Sequence, residues 1–177
     1  MSSELRVDRI VPVDGVPSGG GGGIVQIKSK HITDYFTSNS GTYVDITGHN
    51  ITITPTRADS KILIQYWINW MHAGGNDTAA TLRLLRNGTV IGSDSGNPMN
   101  DDRMGIITMY MAAQAHFSVS GFNYLDSPAT TSALTYKTQL HLDSTSFTGG
   151  NIWGVNRYPA LDAYRGSSSI TAYEVSG

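Results

Sequence analysis

The acidic residues Asp101, Asp102, Asp126, Asp143 and Glu174 are the ones from which a glycosidic or polysaccharide-cleaving pair would have to be drawn. That chemistry needs two carboxyl groups held about 5 to 9.5 Å apart, one to protonate the leaving group and one to attack or to activate water. Nothing in their spacing brings two of them together, so they read as solvated loop acids. The histidines His31, His49, His72, His116 and His141 are widely separated and lack the short intervals of a metal site. Only a symmetric assembly repeating one of them about an axis would gather enough imidazoles to hold an ion. They read as satisfied or exposed side chains.

Gly19 to Gly23 form an unbroken glycine run. A phosphate-cradling loop needs Lys followed by Ser or Thr directly after its last glycine, and then a helix start. Here the glycines pass straight into the strand-like IVQIK, so Lys28-Ser29 stands at the end of that segment and not directly after the last glycine. The run is therefore a flexible linker. The glycine-flanked serine of a hydrolase elbow, the HExxH pattern and the EF-hand loop are all absent from the sequence. Aromatic rings remain as candidate chemistry, because a flat ring suits the apolar side of a pyranose. Trp67 and Trp70 fit a core or an interface. Trp153, Tyr158 and Tyr164 lie in a Gly- and Asn-rich region and are the candidate glycan platforms.

The chain that must position these groups has 177 residues, 39% of them hydrophobic, and a formal charge of -2. That fits one globular domain with a short appendage. Lys and Arg are not massed anywhere, so there is no electrostatic footprint for nucleic acid. With no cysteine, disulfides, thiolate nucleophiles and cysteine-based zinc sites are excluded. No apolar stretch is long enough for a signal-peptide core or a membrane span, so no membrane insertion is expected. The Asn-X-Ser/Thr triplets at Asn50, Asn76 and Asn87 are read as chance in a chain rich in Asn, Ser and Thr.

Periodicity is that of β-structure nearly throughout. In KILIQYWINWM, residues Ile62, Ile64, Tyr66, Ile68 and Trp70 share one face and Leu63, Gln65, Trp67, Asn69 and Met71 the other, which predicts a central strand covered on both sides. LRLLRNGTVIG predicts a tight hairpin, since Asn87-Gly88 supplies the positive φ angles of a type I′ turn. Further strands are expected over Ile106 to Ala112, His116 to Tyr124, Ala133 to Leu142 and Ser169 to Val175. In ALTYKTQLHL, residues Leu134, Tyr136, Thr138, Leu140 and Leu142 point inward. Many short strands joined by Gly, Asn, Asp and Pro predict an all-β antiparallel jelly-roll sandwich.

Ahead of the glycines, ELRVDRIVPV alternates apolar and polar residues while carrying Pro12, with Pro17 following, so it reads as an extended arm that docks on a partner. Residues 1–17 are this arm, with Leu5, Val7, Ile10, Val11 and Val13 as its docking side chains. Residues 18–23 are the linker and 24–177 the β head.

The blocks SSELRVDRIVPVDGVPSGGGGGIVQIKS, TITPTRADSKILI, LRLLRNGTVIGS, FNYLDSPATTSALTYKTQLHL and RGSSSITAYEVSG, in that order, resemble a family of tailed-bacteriophage virion proteins of marine and cyanobacterial viruses. Members are fibre-like or decoration proteins whose main domain is similar to the trimeric jelly roll of tumour necrosis factor and complement globular heads. The resemblance implies Pro55 and Asp59 in a turn, Ile62 and Ile64 in the core, and the terminal SITAYEV strand near a three-fold axis. Tyr173 and Val175, with Trp67, then become subunit contacts. It further implies a homotrimeric, non-enzymatic structural protein of the virion, assembled in the host cytoplasm, with other virion proteins as partners and no cofactor. The chain has no shaft of repeats, which favours a short fibre, a knob or a capsid decoration over a long tail fibre. A host-surface carbohydrate-binding module of the tail is the alternative expectation.

Overall fold

The computed structural model describes residues 23–73, 78–93, 105–111, 115–143, 152–157 and 164–176. The arm and most of the linker lie outside them. The described strands are β1 (Ile24–Ile32), β2 (Phe36–Ser38), β3 (Val44–Ile53), β4 (Lys61–Ala73), β5 (Thr78–Arg86), β6 (Thr89–Ile91), β7 (Ile107–Met111), β8 (Ala115–Asp126), β9 (Leu134–Asp143), β10 (Ile152–Val155) and β11 (Ser168–Val175). There is no helix among the described residues.

The strands form two antiparallel sheets. In the first, β1, β11, β4 and β8 lie side by side, and β10 and β2 extend from the far end of β4. In the second the order is β3, β9, β5, with β6 and β7 sharing the outer edge of β5. Neighbours in each sheet are mostly distant in sequence, and the two sheets close on one core, which is the double-layered jelly roll.

The core follows from alternation. Ile62, Ile64, Tyr66, Ile68 and Trp70 on β4 are fully buried, and they face Leu82, Leu84, Tyr136, Leu140 and Leu142 of the second sheet. The expected hairpin closes β5 onto β6, with Asn87 at φ 48° and Gly88 at φ 89° as its turn type requires. Residues Ile107–Met111 enter the second sheet as β7, because the edge of β5 offers their backbone a ladder. Pro55 and Asp59 lie in the turn between β3 and β4, and Glu174 pins that turn: its carboxylate is fully buried and accepts hydrogen bonds from the Thr56 amide and hydroxyl, both at 2.7 Å, and from Gln26 Nε2 at 2.6 Å. Burial alone pushes the Glu174 carboxyl upward, yet the Gln26 and Thr56 donors together hold it below the usual carboxylate range.

Trp153 corrects the sequence expectation of an accessible aromatic. It is fully buried, edge-on to Trp70 at 5.7 Å and against His72 at 5.2 Å. The reason is β10: a short strand inside the Gly- and Asn-rich region slots between β4 and β2, which turns the indole into the core.

Candidate functional site

Strand register decides which side chains share the outer face of the first sheet. Cα partners run Ile27–Tyr173–Leu63–Leu125 across β1, β11, β4 and β8, giving one continuous apolar row over four strands. A polar row, Ser29–Thr171–Gln65–Asn123, lies beside it. Ser29 and Thr171 hydroxyls meet at 2.9 Å, and Tyr173 donates its hydroxyl to Gln65 Oε1 at 3.2 Å. The next row sets His31 and Ser169 beside Trp67 and Gly121. Beyond it Val119 pairs with Asn69 and Phe117 with Met71.

Several of these apolar groups are open to solvent: Ile27 54%, Trp67 52%, Val119 61%, Leu125 51% and Phe117 46% exposed. Sheet faces that stay wet are normally polar at alternate positions. Exposed apolar patches of this kind are characteristic of interaction surfaces in general. Trp67 is held flat over β8 because Gly121 has no side chain: a Cβ there would lie 2.7 Å from the indole Cε3 and 2.8 Å from the Tyr66 carbonyl oxygen.

The outer face of the second sheet differs in kind. Asp45 accepts from Lys137 Nζ at 2.7 Å and Gln139 Nε2 at 2.6 Å, and Arg83 Nε donates to Gln139 Oε1 at 2.8 Å. Arg83 also lies 3.7 Å over the Tyr43 ring. The hydrogen bonds from Lys137 and then Gln139 hold the Asp45 carboxyl below its ordinary range. Tyr110 and Val90 are exposed there but stand apart on different strands. One face of the sandwich is built for water and the other is not.

The sequence candidates distribute as follows. Trp67, Tyr173 and Val175 lie on the outer face of the first sheet, Trp67 exposed and the other two half-buried. Trp70 is core. Tyr164 is 54% exposed and its ring meets Phe117 at 5.2 Å, whereas Trp153 is buried far from such a role. Tyr158 and the arm residues Leu5, Val7, Ile10, Val11 and Val13 lie outside the described residues. Of the candidate acids, Asp126 and Glu174 are buried and fully engaged by donors, and Asp101 and Asp102 lie outside the described residues. His49 and His72 are buried singly and His31 sits on the apolar face's edge, with no cluster of three metal-ligating side chains among the described residues. No described helix is long and apolar enough to cross a membrane. Ile27, Phe117, Val119 and Leu125 were not foreseen. The signal was present in HFSVSGFNYLD, where apolar residues occupy both alternating sets of positions.

No protein-family model and no curated protein matches the chain. Among solved structures it is similar to the infectious bursal disease virus Gx strain structure, with 14% identity, a TM-score of 0.40, 98% of this chain covered and 42% of that one. The VP2 subviral particle of the same virus aligns at 13% identity and a TM-score of 0.36, over 99% of this chain and 43% of that one. Dimeric latent PorU from Porphyromonas gingivalis aligns at 13% identity and a TM-score of 0.25, over 89% of this chain and 14% of that one. The chain thus spans less than half the length of each, and at this distance they say nothing of what it does.

Proposed function

We propose that the chain is a non-enzymatic structural protein of a phage virion, a short fibre, knob or capsid decoration, that assembles as a homotrimer through the outer face of its first sheet. The observation that carries the reading is the contrast between the two outer faces. The Ile27–Tyr173–Leu63–Leu125 row with Trp67 exposes apolar area that a symmetric assembly would bury, while the Asp45–Lys137–Gln139–Arg83 network keeps the opposite face in water. The order of the sequence blocks supports the virion setting.

In this reading the arm anchors the head to the particle through Leu5, Val7, Ile10, Val11 and Val13. The glycines let a symmetric head sit on a surface that does not match its symmetry. Three weak arm contacts then act together with an avidity that exceeds one. Gly23 enters the fold beside the C-terminal strand, its carbonyl accepting from the Ser176 amide at 3.0 Å, so the arm leaves from a fixed corner of the sandwich.

Sedimentation of the wild-type chain and of Leu125→Asp tests the assembly. Wild type should run as a trimer and the variant as a folded monomer with a cooperative melt. A wild-type monomer at micromolar concentration, or a variant that still trimerises, refutes the interface. Deleting residues 1–17 should leave the trimer intact and abolish its incorporation into particles.

A further inference from the structure

At the end of β1 opposite to Gly23, the residues Thr33, Asp34 and Tyr35 face Arg165 and Gly166 across an open cleft of about 670 Å³. We propose that this cleft is a saccharide-binding site, taking a short stretch of polysaccharide with one pyranose ring laid on Tyr35. The inference goes beyond the assembly reading and does not depend on it.

The side chains supply what a sugar needs. Tyr35 is 54% exposed, and the Arg157 guanidinium lies 4.4 Å from its ring centroid, bracing one face and leaving the ring as a platform. The Asp34 carboxylate accepts hydroxyl protons only, and the Arg165 guanidinium donates only, so together they read vicinal hydroxyls from both sides. Neither makes an ion pair or side-chain hydrogen bond among the described residues, and both are exposed. Thr33 adds a hydroxyl that works in either sense. Asp34 in the lining would repel a strong anion, which favours a polyol.

The walls are prepared in advance by one buried residue. Asn156, 1% exposed and at φ 63°, donates from Nδ2 to the carbonyls of Ile32 at 3.0 Å and Asp34 at 2.9 Å. Its Oδ1 accepts from Ser168 Oγ at 2.6 Å, and its own carbonyl accepts from the Gly166 amide at 3.0 Å. Both sides of the cleft therefore hang from the same side chain and backbone, which fixes their separation before any ligand arrives. Gly166 packs where a Cβ would lie 2.4 Å from Asn69 Nδ2, keeping that wall tight against β4. β1 spans nine residues, about 30 Å of extended chain. A head tethered through Gly23 thus carries this cleft at its far end.

The test is an array of bacterial capsular and O-antigen polysaccharides probed with the full chain, followed by calorimetry of the strongest glycan. Tyr35→Ala should weaken binding at least about tenfold, Asp34→Asn and Arg165→Met by about tenfold each, and Tyr35→Phe by less than about threefold, as loss of a stacking face or a charge-assisted hydrogen bond requires. Melting temperatures should be unchanged for Asp34→Asn and Arg165→Met, whose side chains are exposed, so these variants decide the matter if Tyr35→Ala folds poorly. An empty array overturns the proposal, as does glycan binding indifferent to all four substitutions. Binding confined to acidic glycans and abolished by inorganic phosphate would make the cleft an anion site and overturn it equally.

Discussion

Tyr136 on β9 donates its hydroxyl proton to the Asp126 carboxylate at the end of β8 over 2.6 Å, tying one sheet of the sandwich to the other. Arg86, from β5, reaches the same carboxylate at 2.8 Å. Burial, and then the bond to Asp126, pushes the Tyr136 phenol well above the ordinary tyrosine range, so it stays a donor at every accessible pH. Removing the hydroxyl in Tyr136→Phe should cost about 1.5 to 3 kcal/mol, the usual worth of a hydrogen bond to a charged group. Asp126→Ala should cost more, because it strands both Tyr136 and Arg86. Urea denaturation measures both, and a Tyr136→Phe loss under about 0.5 kcal/mol would show the clip to be incidental.

His49 makes stability depend on acid. It is fully buried, its Nδ1 meets the Tyr66 hydroxyl, and burial, with a smaller contribution from Lys30, pushes its pKa down to about 4 from 6.5. The unfolded chain takes up this proton below about 6.5 while the folded one resists it until about 4. Stability from His49 is thus complete above the unfolded value and falls as the pH drops through that window, by about 3 kcal/mol in all. Melting temperature followed from pH 7.5 to 4 should show the fall, and His49→Gln should flatten it. A variant that keeps the full acid loss would assign the effect elsewhere.

Asn156 carries backbone strain and hydrogen bonds at once, and two substitutions separate them. Asn156→Gly keeps the left-handed backbone but gives up the bonds to Ile32, Asp34 and Ser168. Asn156→Ala loses both and should be less stable than the glycine variant by about 1 kcal/mol or more. Chemical denaturation of the pair checks this, and an alanine variant as stable as the glycine one would contradict the role of the positive φ.

What was legible in the sequence was legible for a reason. Burial alternates from Lys61 to Trp70 of β4 and from Leu134 to Leu140 of β9, and the Asn87-Gly88 turn has one conformational demand, so the inward faces and the hairpin could be read directly. The cover expected on the second face of β4 is not supplied within the subunit, where Trp67 is 52% exposed. β3 was missed because its pairing with β9 slips between Asp45 and Asn50, with Gly48 at φ 80°, and this breaks the two-residue period. β10 was missed because four residues flanked by Gly and Asn carry too little pattern, and so Trp153 was placed on the surface. The cleft could not be read at all. Thr33 to Tyr35 and Arg165 to Gly166 come together only because β1 pairs with β11 and Asn156 holds both.

The placement of Trp67 yields a prediction that separates packing within a subunit from packing between subunits. Gly121→Ala puts a methyl where the indole now lies, and backbone on its other side leaves the methyl no room, so the Trp67 ring must lift from β8. The same methyl would lie 2.8 Å from the Tyr66 carbonyl oxygen of β4, so a cooperative melt of the variant must first show that the fold accepts it. If the first sheet's outer face is the subunit contact, lifting the ring spoils a fitted interface. The trimer should then dissociate at concentrations at least about tenfold higher than wild type, a loss of about 2.7 kcal/mol per trimer or more, because the constant for a monomer–trimer equilibrium scales with the square of concentration. If Trp67 faces water, the same variant should change its fluorescence and leave the assembly state alone. Sedimentation across a dilution series, with tryptophan emission recorded on the same samples, distinguishes the two, and an unaltered dissociation curve beside a shifted emission would remove Trp67 from the interface.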